Sequence, residues 1–226
     1  MINKKELRCA HRHSIKTHPS CFAKGLIDYR NEKEFTKKTG LPWWTYPGNK
    51  IGFLDIETDG LKSDFSTMLT WAIKERGGKI VYDVINKKEL FDLEFDKRLI
   101  ESIIREISNY KIIVGYFSLG FDLPYIRTKA LHYDIPFPNY GDIYSFDLYY
   151  LVRSKLNLSK KSLESVCDYL NIDGKTFINR SAWRKAKYGD PKSLQEVLDH
   201  NIYDCEITEK LYEKLLTQSK WTKRSI

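Results

Sequence analysis

The sequence predicts an α/β fold, a mixed β-sheet flanked by helices, with a small N-terminal module that carries candidate zinc ligands. Three observations lead there. Two short runs, IGFLDIE and KIIVGY, are almost wholly apolar, as strands covered on both faces are. Two further strand-like runs flank the glycine pair of RGGK, the mark of a hairpin. Segments of helical spacing then alternate with strands, which demands parallel as well as antiparallel pairing.

Each element has its own signal. Between Cys9 and Cys21 the stretch CAHRHSIKTHPSC gathers three of the five histidines and two of the four cysteines. A polar segment, YRNEKEFTKKTG, leads to LPWWTYPGNK, whose prolines, glycine and paired Trp43 and Trp44 read as a connector packed onto the main domain. We therefore divide the chain into a His/Cys-rich module with its connector, 1–48, and a main domain, 49–226. Ile51 to Glu57 is a central strand. TMLTWAIKE and KIVYDVI form the hairpin. Leu99, Ile103, Ile104 and Ile107 recur at helical spacing, and KIIVGY is a second buried strand. FDLPYIRTKAL, FDLYYLVRSKL and SLESVCDYL read as helices. The long helix after Asp190 opens with an N-cap and Pro191 at its first position. Cys167 and Cys205 fall in helices, as small core residues do.

With 42% hydrophobic residues the chain can bury a sizeable core. No apolar run approaches the roughly 20 residues of a membrane span, and MINKKELRCA shows no secretory signal, so a cytoplasmic location is expected. Four cysteines are not a disulfide framework in a chain of this length. The net charge of +8 suits a polyanionic partner, nucleic acid first.

Carboxylates stand where a core is expected. Asp55 and Glu57 end the most apolar strand and, two apart, share a face. For a lone D-x-E, a strand emerging into water is the favoured reading. Asp204 is more telling, because Val197, Ile207 and Leu211 lie on its own side of the long helix. A carboxylate in that stripe faces protein, where it is costly without a partner. His200 stands one turn earlier on the same face. Asp122 comes after KIIVGY at a helix start, where an N-cap would also account for it. Asp147 has the same look and nothing further to recommend it. Were the four acids to converge, each like-charged pair about 4 Å apart would cost roughly 4 kcal/mol at an effective dielectric of 20. Divalent cations remove that cost, and all-oxygen ligation points to Mg²⁺ or Mn²⁺. Two such ions are the usual apparatus for displacement at phosphorus.

In this order the motifs resemble the DEDD superfamily of 3′–5′ exonucleases, which have a ribonuclease H-like fold. FLDIETDGL resembles the first motif, with Asp55 and Glu57. VGYFSLGFDLPYI resembles the second, with Asp122, and HNIYD the third, with His200 and Asp204. The resemblance covers about residues 50–217. It is closest to the small bacterial and phage ribonuclease H-like exonucleases, and more distant to the proofreading domain of family-B DNA polymerases. It implies a metal-dependent 3′–5′ exonuclease acting on single-stranded ends, with catalytic Asp55, Glu57, Asp122, His200 and Asp204, the four acids holding two ions. Two departures matter. Phe117 stands where the second motif usually has Asn. In the third motif His200 lies four before the Asp, where Tyr is usual at four and His at five. A catalytically silent nucleic-acid-binding or partner-docking module is the competing reading, and the sequence does not separate DNA from RNA.

Two further groups complete the expectations. Cys9, His11, His18 and Cys21, with His13 as an alternative to His11, supply the four ligands of a structural zinc. Arg153, Lys155, Lys160 and Lys161 form one basic cluster, and Arg184 belongs to a second around Trp183. These are candidates for contacting the strand. Tyr116, Phe117 and Tyr125 are candidates for base stacking, with core packing expected for at least two of them.

Overall fold

The computed structural model describes residues 26–40, 45–139, 141–173 and 178–216. Trp43 and Trp44, and the candidate zinc ligands Cys9, His11, His13, His18 and Cys21, lie outside the described residues. The segment expected to be a polar connector is in part helical: α1 runs Leu26–Thr39. Its Glu, Lys and Arg residues are good helix formers, but they leave no apolar periodicity to betray it.

The main domain is a five-stranded mixed sheet in the order β3-β2-β1-β4-β5. The central strand β1 (Ile51–Thr58) pairs antiparallel with β2 (Met68–Glu75) and parallel with β4 (Ile112–Gly115). The hairpin partner β3 (Ile80–Val84) lies outside β2, and β5 (Tyr144–Asp147) lies parallel to β4. The turn between β2 and β3 needs the left-handed backbone of Gly77, at φ 61°. The sequence pattern does not announce β5. This strand has four residues and a single pairing partner, and it runs straight into a helix whose pattern dominates the local sequence.

The two faces of β1 feed two cores. Leu54 and Ile56 pack with α2 (Lys97–Ile107), whose Leu99, Ile100, Ile103, Ile104 and Ile107 are all buried at helical spacing. Truncating any of these isoleucines to alanine would cost about 2–5 kcal/mol. Ile51 and Phe53 pack on the other face with Leu148 and Val152 of α4 (Leu148–Lys155) and Val166 of α5 (Leu163–Tyr169). They also meet Ile207, Leu211 and Tyr212 of the long helix α7 (Pro191–Leu215). Asp55 and Glu57 continue the Ile51–Phe53 face, so strand alternation aims them at α7. The helix α3 (Asp122–His132) comes after β4, and α6 (Arg180–Ala186) packs on α7.

The helix α7 starts as its sequence dictates, with Asp190 accepting from the Ser193 N–H and Pro191 at the first position. Its far half is tied to the hairpin. Glu209 accepts from the Gly77 N–H at 2.6 Å and pairs with Lys74 at 3.0 Å. Arg76 forks onto Glu213 at 2.7 and 3.1 Å. Together these contacts fix which residues of α7 overlie the end of β1. No helix among the described residues is long and apolar enough to cross a membrane.

Candidate active site

The parallel strands β1, β4 and β5 all present their C-terminal ends to one edge of the sheet. Asp55 and Glu57 come from β1 itself. Asp122, 4% exposed, sits in the first turn of α3 and reaches back so that its Oδ1 accepts from the Ile56 N–H at 3.1 Å. The residue before the helix is Phe121, so Asp122 does not serve as the N-cap. Its carboxylate ties the loop after β4 to the C-terminal end of β1. Asp204 and His200, one turn apart on α7, face the same point. His200 Nε2 stands 3.8 Å from Glu57 Oε1 and 3.8 Å from Asp204 Oδ2. One ligand atom from each of Glu57, His200 and Asp204 falls within 4.8 Å of the other two. The inward stripe expected for Asp204 is present, with Val197, Ile207 and Leu211 all buried.

The electrostatics follow from burial and like charge. Burial pushes the Asp55 carboxyl well above its usual range, and Glu57, Asp204 and Asp122 push the same way; the hydrogen bond from Asn201 opposes them. Burial, then Asp204 and Asp122, raises Glu57 well above its usual range. Burial raises Asp122 to about 7, with Asp147 adding to it and the Ile56 N–H pulling down. Burial raises Asp204 as well, with His200 lowering it and Glu164 raising it. Asp204 and Asp122 thus add to the burial that raises Asp55 and Glu57, and no lysine or arginine pairs with any of the four acids among the described residues. Among the described residues only Glu57, Asp204 and His200 bring ligand atoms close enough together to share an ion, and carboxylates that resist ionising are chemically suited to a divalent cation.

Two residues matter more than their sequence context announces. Asn201 is fully buried, donates Nδ2 to Asp55 Oδ2 at 2.6 Å and accepts from Thr70 Oγ1 at 3.3 Å. Its signal is present in the sequence: it is a polar residue three before Asp204 on the same inward stripe. Asp147, which nothing in the sequence singles out, ends β5 and accepts three backbone N–H bonds. Oδ1 takes those of Phe117 and Tyr149, and Oδ2 that of Leu119, each at 2.9 Å. It therefore shapes the loop that carries Asp122. Gly115 is needed at the head of that loop, because a Cβ there would stand 2.4 Å from the Ser118 Cβ.

The basic candidates divide. Arg153, Lys155 and Lys160 are exposed, whereas Lys161 is half-buried with Nζ donating to the Leu158 carbonyl at 2.7 Å. The Tyr116 hydroxyl donates to the Lys161 carbonyl, and Glu164 acts on Asp204, so the turn before α5 borders the acids. Arg184 is exposed on α6. Just beyond, Lys187 donates to the Asp59 carbonyl, which sets the end of α6 against the loop after β1. Of the aromatic candidates, Tyr125 is buried, its hydroxyl accepting from Ser66 Oγ at 3.2 Å. Tyr116 is half-buried against the second core, and Phe117 alone of the three is an exposed ring.

A family model described as RNase_H superfamily matches residues 52–216. No curated protein matches the chain. Among solved structures, the family B DNA polymerase from the hyperthermophilic archaeon Pyrobaculum calidifontis is similar, with a TM-score of 0.62 and 20% identity. That match covers 76% of this chain and 25% of the polymerase. The chain thus spans about a quarter of the polymerase's length, and at this identity the likeness is one of fold.

Proposed function

The chain belongs to the ribonuclease H superfamily over residues 52–216, and on that premise we propose that it is a divalent-metal-dependent 3′–5′ exonuclease acting on single-stranded ends of nucleic acid. One observation carries the reading: carboxylates from β1, α3 and α7 converge at one sheet edge, where Asp204 and Asp122 add to burial in pushing Asp55 and Glu57 up. A binding module would gain nothing from that repulsion, whereas a nuclease uses it to hold cations.

Asp55, Glu57, Asp122 and Asp204 would hold two Mg²⁺ or Mn²⁺ ions. Such ions, when bound, neutralise the phosphate, acidify the attacking water and stabilise the departing oxygen. The remaining work falls to the chain's own residues. His200, beside Glu57 and Asp204, accepts the proton of the attacking water as general base. The water oxygen bonds to phosphorus while the bond from phosphorus to the 3′ oxygen breaks. The shortened strand keeps that oxygen and takes up a proton from solvent, and the released nucleotide keeps its 5′-phosphate. Asn201 and the Ile56 N–H hold the Asp55 and Asp122 carboxylates in orientation. Arg153, Lys155, Lys160, Lys161 and Arg184 would draw in the strand through its phosphates.

In this reading residues 49–226 form the catalytic domain, and residues 1–48 carry one structural zinc on Cys9, His11 or His13, His18 and Cys21. The test is incubation with 5′-labelled single-stranded DNA and RNA, with Mg²⁺, Mn²⁺ or EDTA. A 3′–5′ exonuclease gives a descending ladder that EDTA abolishes. Label released at once as mononucleotide would reverse the polarity, and intact strands under all conditions would refute the nuclease reading.

A further inference from the structure

Phe117 is the one non-glycine residue of the catalytic loop held at positive φ, 62°. Left-handed backbone at a bulky residue costs on the order of 1–3 kcal/mol and persists only where surroundings enforce it. Here the enforcement is visible. The Phe117 N–H is held by Asp147 Oδ1, and its carbonyl accepts from both Gly120 and Phe121. The ring rests on Gly120, where a Cβ would stand 2.4–2.8 Å from three of its atoms.

A strained residue with so many fixed contacts would ordinarily bury its side chain. Phe117 does not: it is 42% exposed. Its neighbour Tyr150, 6.4 Å away and tilted by 38°, is also 42% exposed. Tyr149 braces Phe117 from the side, edge-to-face at 5.0 Å. The result is an aromatic surface that is rigid, partly open and five residues from Asp122. Basic groups flank it. Arg153 lies three and four residues after Tyr150 and Tyr149, hence on their side of α4. The Lys161 carbonyl accepts from Tyr116, whose ring meets Tyr149 at 5.8 Å, so the turn that carries exposed Lys160 lies on this side.

We infer that Phe117, braced by Tyr149 and accompanied by Tyr150, is a stacking platform for one nucleobase of a single-stranded nucleic acid, with exposed Lys160 and Arg153 taking its phosphates. Every base offers a π-face, so such a platform accepts any sequence, and the flanking cations select a polyanion over an apolar peptide. The inference rests on the exonuclease reading for its substrate and adds where a base is held.

The test uses the full chain in EDTA, where turnover cannot occur, and fluorescence anisotropy of labelled single-stranded DNA and RNA. An abasic site is moved one position at a time along the four nucleotides nearest the 3′ end. In the parent, the abasic site should weaken binding at one position by roughly 5- to 150-fold, the size of one base–aromatic stack. Phe117→Asn, whose side chain tolerates left-handed backbone, should weaken the intact strand by the same factor and make the abasic site silent at that position. Phe117→Trp should keep both affinity and the abasic effect. Should the Asn variant not fold, as judged by its melting curve, Phe117→Leu carries the same expectation. An abasic penalty of equal size in parent and variant makes Phe117 a packing residue and overturns the platform. A parent that binds no strand and cuts none overturns both the platform and the exonuclease reading. A parent that cuts, with an Asn variant of unchanged affinity, overturns the platform alone.

Discussion

Replacing Asp122 by asparagine should make the metal-free protein more stable at pH 8 while abolishing cleavage. Asparagine keeps an oxygen for the Ile56 N–H that Asp122 Oδ1 accepts at 3.1 Å, so the hydrogen bond survives and the charge goes. Burial, with Asp147 adding, raises the folded-state Asp122 carboxyl to about 7. Measured against about 3.9 in an unfolded chain, ionising it in the fold costs on the order of 4 kcal/mol. The sign comes from proton counts. Below pH 4 both states are protonated and nothing is lost. Between about pH 4 and 7 the unfolded chain releases its proton first, so stability falls as pH rises, and above 7 the whole cost is present. Burial raises Asp55 and Glu57 too, with Asp204 and Asp122 adding to it, so both push in the same direction. For a chain of this length 4 kcal/mol corresponds to roughly 8–15 °C in Tm. Thermal melts of parent and Asp122→Asn in EDTA from pH 5 to 8 measure it. The parent should lose Tm across that range, and Mg²⁺ or Mn²⁺ should restore it at pH 8 by binding the ionised set. A parent with flat stability, or an asparagine variant that melts lower at pH 8, would show that Asp122 is a structural acid and refute the reasoning.

His200→Ala should lower kcat by roughly 10²–10⁴-fold with KM nearly unchanged, as loss of a general base does; a near-parental rate would make His200 a packing residue. Asn201→Ala removes the donor on Asp55 Oδ2 and strands Thr70, so it should cost about 1–3 kcal/mol in urea unfolding and 10- to 100-fold in activity. Parental values in both assays would deny it any part in holding Asp55. Elemental analysis of the full chain after mild chelation should find about one zinc, and Cys9→Ser or Cys21→Ser should remove it without removing cleavage.

The sequence discloses whatever rests on periodicity. The apolar run of β1, the glycine hairpin, the isoleucine stripe of α2 and the Asp190–Pro191 start of α7 all carry local signals strong enough to stand without tertiary context. Asp55, Glu57 and Asp204 are legible for the same reason, since they interrupt apolar patterns, whereas Asp122, at a helix start, gains weight only beside them and from the order of the motifs. The features that escape depend on distant partners. β5 is a strand only because β4 lies beside it, and Asp147 matters only because its carboxylate meets N–H groups some 30 residues away. α1 is hidden by uniform polarity. Phe117 is visible as a departure from the expected asparagine, but its positive φ and open ring belong to the folded loop.

The fold holds acids sealed in its interior and a convergent set that, Asp122 apart, is only partly buried, and their difference explains why the second group is suited to metal. Asp96, fully buried, accepts from the Met68 N–H and the Tyr133 hydroxyl, each at 2.7 Å, and pairs with Lys129 at 3.2 Å. Asp147 accepts three backbone N–H groups. Both are saturated by donors of the chain and hold loops in place. The convergent acids are not saturated. Among the described residues Asp55 has one amide, Asp122 has its own N–H and one from β1, and Glu57 and Asp204 face each other across His200. Buried carboxylates normally find donors because leaving a lone pair unmatched is costly. Four under-supplied acids at one sheet edge therefore need an opposing force to stay together without cations. That force is mechanical: Glu209 and Glu213 on α7 grip Gly77, Lys74 and Arg76 of the hairpin, and Ile207, Leu211 and Tyr212 bury the same helix against the sheet. The hairpin clamp thus opposes the repulsion at Asp204, one to two turns earlier on α7, and holds that helix over the end of β1 without cations.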